Sequence, residues 1–427
     1  MRSALADRPA GSSRSTVRSR GIAVLLVALS FLFAASGCSD DTRITPPSAS
    51  GDPSLARSAA ARVTVAALLD ALTTGNADDA ASLGVAGSRD LLRAVDANVR
   101  SLHIVDLSLR FIDDRSSLGD DQGAGFGPGA WTGTVEVRYR LRDWDLGPSV
   151  VETPFTFVPG GSGQLIAGIG GADGRTPLWL AGAVTPSVRG RALVIARGGA
   201  SERYLPMAGR AVSTVGRVLP DWTGRLVIEV PATEEELDQA LDAPQDRYAN
   251  IAAVTAPVDG SLIRGAPVHV FVNPRVFDAL GPRGAQVVIS HESTHVATQA
   301  PFAAMPSWLS EGFADYVALA HSGIPVGVAA AQILARIRSE GPPKHLPTTA
   351  ELAPTAPGLG ATYEEAWLVT RFIARVHGER KLVAFYQAVD GGHTVEQAFR
   401  SVLGTTGASF VARWRTDLRA LANGVAG

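Results

Sequence analysis

Val287-Val288-Ile289-Ser290-His291-Glu292-Ser293-Thr294-His295 and its sequel Pro306-Ser307-Trp308-Leu309-Ser310-Glu311-Gly312-Phe313-Ala314-Asp315-Tyr316 decide how the rest of the chain is read. Ala285, Val287, Val288 and Ile289 lead into the histidines with no Gly or Pro between them, so the stretch reads as a helix. Residues four apart share a helix face, and His291 and His295 therefore offer two imidazoles to one metal ion. Glu292 projects toward the same open side, where a carboxylate takes a proton from a metal-activated water. With eight His in 427 residues, chance supplies this pentapeptide pattern roughly 0.005 times.

The sequel completes a donor set. A catalytic zinc site has three protein ligands and one open position. Glu311 follows His295 after fifteen intervening residues, on a second helix begun near Pro306. Asp315 lies four residues beyond, on the same face, placed to accept the outer N–H of a zinc-bound histidine. Trp308, Leu309, Phe313 and Tyr316 mark this helix as largely buried, and a buried carboxylate needs a partner. One Zn²⁺ per chain is the expectation.

H-E-x-x-H followed by W-L-S-E-G-x-A-D-Y resembles the gluzincin metallopeptidases, which include thermolysin and the zinc aminopeptidases, and is nearest their compact bacterial relatives. The resemblance makes His291, His295 and Glu311 the zinc ligands, Glu292 the general base and Asp315 the outer partner of a ligand. It rests on His291 to Tyr316, and a looser likeness extends over residues 191–427. The gap between the motifs is a few residues shorter than in thermolysin. The resemblance also implies that Val268–Val272, just upstream, is the sheet edge along which an extended peptide pairs. Tyr363, in Thr362-Tyr363-Glu364-Glu365-Ala366-Trp367, resembles the tyrosine that several gluzincin families aim at the developing oxyanion. It is equally readable as an ordinary helix tyrosine, and His345 and His393 compete with it as donors.

The N-terminus reads as a targeting segment. Arg2, Arg8, Arg14, Arg18 and Arg20 precede an apolar run, Ile22 to Ala35, broken only by Ser30. That length suits a signal peptide better than a membrane span. Ala35-Ser36-Gly37-Cys38 resembles a bacterial lipobox, with Ala35 where Leu is usual. The resemblance implies lipidation at Cys38 and an anchor on the extracytoplasmic face of a bacterial membrane. Cys38 is the sole cysteine, so an exported chain has no internal disulfide, and lipidation accounts for the otherwise exposed thiol. A plain secretory leader with an incidental cysteine is the alternative. Residues 1–38 are thus the signal segment, and 39–58, rich in Pro, Ser, Asp and Thr, a flexible tether.

An α+β fold is expected beyond it, in two domains, 59–190 and 191–427. The first has helices over Val63–Leu72 and Leu91–Val99. Strands follow over Leu102–Ile112, Thr134–Leu141, Val150–Val158 and Leu165–Ile169, with a glycine-rich loop, Gly119–Gly129, among them. Val135, Val137, Tyr139 and Leu141 alternate with Glu136, Arg138 and Arg140, as in a sheet with one buried face. The order, with the opening Ala71-Leu72-Thr73-Thr74-Gly75-Asn76-Ala77-Asp78-Asp79-Ala80-Ala81-Ser82-Leu83, resembles the NTF2-like cone folds. No catalytic constellation is read there, and His103 has no partner in sequence.

The second domain has an amphipathic helix over Glu202–Val218 and strands over Leu226–Val230, Ile251–Val258 and Val268–Val272. Thr233 and Glu236 form a capping box. Helices over Val326–Ile337, Tyr363–Val376, Lys381–Ala388, Val395–Val402 and Phe410–Leu421 close the chain, with Gly378 and Gly404 as stops and Pro342–Gly360 as a long loop. A net charge of −2 and a pI near 6.5 give no footing for nucleic acid. The expected partners are a peptide or protein substrate and, through Cys38, a membrane. The competing classes are a catalytically idle surface lipoprotein on a peptidase scaffold and a metal-dependent hydrolase of non-peptide substrates. Intact Glu292 argues against the idle scaffold, which has no need of that base.

Overall fold

The computed structural model describes residues 53–117, 125–161, 163–171, 173–199, 201–353 and 355–424. The leader, Cys38 and the first part of the expected tether lie outside the described residues, as does most of the Gly119–Gly129 loop. Among the described residues no helix is long and apolar enough to cross a membrane.

Helix α1 spans Pro53–Thr74. Proline suits the first turn and the alanine-rich run after it favours helix, so residues 53–58, expected as tether, are helical. Ala61, Val65, Leu68 and Leu72 fall at i, i+4, i+7 and i+11 and are all buried. Helix α2 (Ala77–Ser82) is capped by Asn76, whose side chain accepts from the Asp79 N–H, and α3 (Arg89–Ser101) buries Leu92, Val95 and Val99. Four antiparallel strands follow in the order of the chain: β1 (Ile104–Ser117), β2 (Trp131–Leu141), β3 (Ser149–Gly160) and β4 (Gly163–Ile169). Val135, Val137, Tyr139 and Leu141 point inward as their alternation requires. His103 is exposed in the turn before β1.

The second sheet runs β5-β6-β7-β9-β8, with β5 (Val184–Arg189), β6 (Ala192–Arg197), β7 (Leu226–Val230), β8 (Ala253–Pro257) and β9 (Val268–Val272). Its centre, β6-β7-β9, is parallel, and antiparallel β5 and β8 close the two edges. The central strands are apolar runs, interrupted only by Glu229 in β7 and His269 in β9, because both faces are covered. Leu193, Ile195 and Val227 join the core of the first sheet, while Val194, Ile228 and Val270 pack under helices α4 (Ser201–Val218) and α6 (Pro282–Thr298). The chain order thus gives an α+β fold whose two sheets share one core.

Three expectations change here. The domain boundary at Arg191 falls inside the β5–β6 hairpin, so the second sheet begins at Val184. Pro186 obscured β5 in the sequence; it is tolerated because β5 is an edge. Val268–Val272 is not the sheet edge either. It lies between β7 and β8, and the edge on that side is β8. Helix α5 (Glu234–Leu241) is capped by Thr233, but Glu236 accepts from the Ala232 N–H rather than closing the reciprocal box.

The rest is helical: α7 (Ser307–Leu319), α8 (Ala331–Glu340), α9 (Leu359–His377), α10 (Glu379–Asp390), α11 (Val395–Ser401) and α12 (Gly407–Ala422). The helix expected over Val326–Ile337 is broken at Ala330 into a single turn and α8. Trp308, Leu309 and Phe313 of α7 share a core with Phe372, Phe385, Phe399, Phe410 and Trp414 from the helices that follow.

Candidate metal centre

Helix α6 starts at Pro282 and ends where Gln299 turns left-handed (φ 54°). It buries Ala285, Ile289 and Val296 against the second sheet, which turns His291 and His295 toward α7. Helix α7 buries Trp308, Leu309 and Phe313 and returns Glu311 and Asp315 to α6.

His291, His295 and Glu311 come together as a possible metal-holding group. His291 Nε2 lies 3.0 Å from His295 Nε2 and 3.2 Å from Glu311 Oε2, and His295 Nε2 lies 3.4 Å from that same oxygen. Ligands about 2.0–2.1 Å from a tetrahedral ion stand roughly 3.3 Å apart. The triangle fits a single ion.

The chemistry of the donors agrees with the geometry. His291 Nδ1 donates to Asp315 Oδ1 at 2.7 Å, which leaves a lone pair on Nε2. That lone pair faces a carboxylate oxygen, so positive charge belongs between them. Burial lowers the pKa of His291, yet Asp315 beside one nitrogen and Glu311 beside the other raise it well above the ordinary imidazole value. Burial works to raise Glu311, but His295 and His291 hold it below the usual carboxylate range.

Glu292 sits beside the group, and burial raises its pKa against the pull of His291, His295 and a hydrogen bond from Thr255. The Thr255 hydroxyl lies 2.6 Å from Glu292 Oε2. Thr255 is on edge strand β8, and the ladder fixes which way its backbone faces. The Asn273 N–H bonds Ala252 O, and the Val258 N–H bonds Pro267 O, in directly opposed pairs. Hydrogen-bonded pairs alternate along an antiparallel ladder. Val254 and Ala256 therefore bond β9, while the N–H and C=O of Ala253 and Thr255 turn to the open edge. Pro257 has no N–H and its carbonyl accepts from Gly260, so the open stretch ends there.

Tyr363 lies at the start of the second turn of α9, packed against α7. Burial and the charges of Glu311, Asp315 and Glu292 raise its pKa, which puts its phenol within the electrostatic reach of the site. Gly312 makes this approach possible. A Cβ there would stand 2.3 Å from the Ala366 carbonyl oxygen, one turn along α9 from Tyr363, and the Thr370 hydroxyl donates to Gly312 O at 2.7 Å. Gly312→Ala is expected to destabilise the fold by ~2–3 kcal/mol, the upper part of the range for overpacking, because the clash is with backbone. Gly216→Ala in α4, where a Cβ would meet only Arg191 Nη2 at an ordinary contact distance of 3.8 Å, is expected to stabilise by roughly 0.5–1 kcal/mol instead. Chemical denaturation of both variants checks the opposed signs; equal stability of Gly312→Ala and wild type would refute the close approach.

The two competing donors are both exposed. His345 is exposed on the long loop, its Nδ1 3.0 Å from Leu346 O, and His393 is exposed in the turn between α10 and α11. Neither belongs to the metal-holding group.

Two features escaped the sequence reading. Thr255 is one, since the strand was legible but its neighbour across to α6 was not. The other is a buried triad. His269 on β9 is 1% exposed, with Nδ1 2.7 Å from Glu229 Oε1 on β7 and Nε2 2.9 Å from Asp145 Oδ1 beyond β2. Asp145 Oδ2 in turn accepts from the Leu141 N–H. Both ring nitrogens are engaged, so this histidine ties the two sheets together rather than presenting a base. Its signal was available: two adjacent apolar strands, Leu226–Val230 and Val268–Val272, each carry a single ionisable residue. No protein-family model matches the chain, and no curated protein matches it.

Proposed function

We propose that the protein is a zinc-dependent peptidase, held at the extracytoplasmic face of a bacterial membrane through a lipidated Cys38. The observation that carries this reading is the triangle of His291 Nε2, His295 Nε2 and Glu311 Oε2, with Glu292 beside it and an open strand edge at Thr255. A zinc ion held by those three residues would supply Lewis acidity to a scissile carbonyl and acidify a water. Ala253 and Thr255 pair with the backbone of an extended substrate, which sets the scissile bond across α6. Glu292 takes the water's proton on the oxygen that Thr255 leaves free and delivers it to the departing amine. Tyr363 donates a hydrogen bond to the carbonyl oxygen as charge builds there. Asp315 fixes the tautomer of His291.

The test uses the full chain, recovered from washed membranes with detergent. It should contain about one zinc and cleave members of a mixed peptide library, and removal of zinc by a chelator should abolish cleavage. Zinc-loaded, folded protein that cleaves no peptide would support a scaffold instead, and protein free outside the cell would remove the anchor.

A further inference from the structure

We infer that Thr255 is a positioning residue for Glu292, registering the base against whatever peptide pairs with β8. This rests on the peptidase reading and goes one step beyond it. Glu292 has a long side chain, and fixing such a chain costs about 1.5–2 kcal/mol of rotamer freedom, so a defined carboxylate position needs an anchor. Thr255 is the anchor in view. Its hydroxyl donates to Glu292 Oε2 at 2.6 Å and lies 3.0 Å from the Glu292 carbonyl oxygen. A hydroxyl has one proton, and the shorter contact to the carboxylate is where a charge-assisted bond forms. The donor is itself stiff, because a β-branched residue has few rotamers and its strand is paired with β9 from Ala253 to Pro257.

The same residue has a second role by virtue of the strand register. The N–H and C=O of Thr255 face the open edge, while its side chain stands off the sheet face, onto α6. A peptide bonded to that backbone is bonded to the residue that holds the base. The distance from the scissile bond to Glu292 is then set through one amino acid, not through two elements that move separately. With Oε2 engaged by Thr255, the other oxygen is the one left to take a proton.

Thr255→Val keeps the shape and removes the donor; Thr255→Ser keeps the donor. In the zinc-loaded full chain, Thr255→Val should lower kcat by ~10–100-fold with KM little changed, while Thr255→Ser retains most of the rate. A second readout is independent of turnover. Acetohydroxamic acid binds zinc and gives up its hydroxyl proton to an adjacent carboxylate, so its affinity reports where Glu292 stands. That affinity should fall about tenfold in Thr255→Val, as expected for one lost bond to a charged group, and be restored in Thr255→Ser, with zinc content unchanged throughout. Wild-type hydroxamate affinity in Thr255→Val overturns the inference, as does a Thr255→Ser variant as impaired as Thr255→Val. If wild type cleaves no peptide while the hydroxamate series behaves as stated, the peptidase reading falls and the positioning role stands.

Discussion

Glu292→Gln should leave the zinc and the fold in place and lower peptidase activity by ~10⁴-fold, the upper end of what a general base contributes. The upper end is expected because, in the proposed mechanism, one carboxylate serves twice, taking the water's proton and returning it to the amine. Glutamine is close in size and can still meet the Thr255 hydroxyl, so the loss isolates basicity from packing. Asp315→Asn is the internal comparison. It touches the metal only through His291 Nδ1 and should cost about 10–100-fold in metal affinity or rate. Elemental analysis alongside kcat/KM on one substrate decides the ordering. A Glu292→Gln protein as active as wild type would place the chemistry elsewhere in the chain.

The candidate metal-holding group was legible because its information is local. His291 and His295 are four apart, Glu311 and Asp315 are four apart, and Pro282 and Pro306 mark where each helix starts. Helical spacing converts those separations directly into shared faces. The order of strands is not local. Val268–Val272 and Ala253–Pro257 were both readable as strands, but nothing within either stretch alone tells which is paired on both sides. The outcome fits their makeup: Val268–Val272 is rich in Val and Phe and is buried throughout, while Ala253–Pro257 has small residues, is partly buried and ends in proline. Thr255 and Gly312 show the same limit. Each is identifiable as special only from what stands opposite, Glu292 in one case and the Ala366 carbonyl in the other.

The triad of His269, Glu229 and Asp145 supplies a pH dependence with a definite sign. Burial lowers the pKa of His269, but Asp145 and Glu229 outweigh it and hold the value at about 9, above the ordinary 6.5. A group whose pKa is raised on folding binds its proton more tightly in the folded chain. Its stabilisation is therefore fully present below about pH 6.5 and is lost as pH rises through about 9. His269→Gln removes the charge and leaves Glu229 and Asp145 buried without their cation. Breaking a buried ion pair from one side costs ~3–5 kcal/mol, so the variant should be destabilised by about that much at pH 6. The gap to wild type should then narrow between pH 7 and 10, because only wild type has a proton to lose. Asp145 follows β2 and His269 lies in β9, so the loss falls where the two sheets meet, away from the metal ligands. Zinc content at pH 7 is expected to be unchanged in the folded variant. Thermal unfolding of both proteins across that pH range tests the account; parallel curves would mean that His269 is neutral between its two carboxylates.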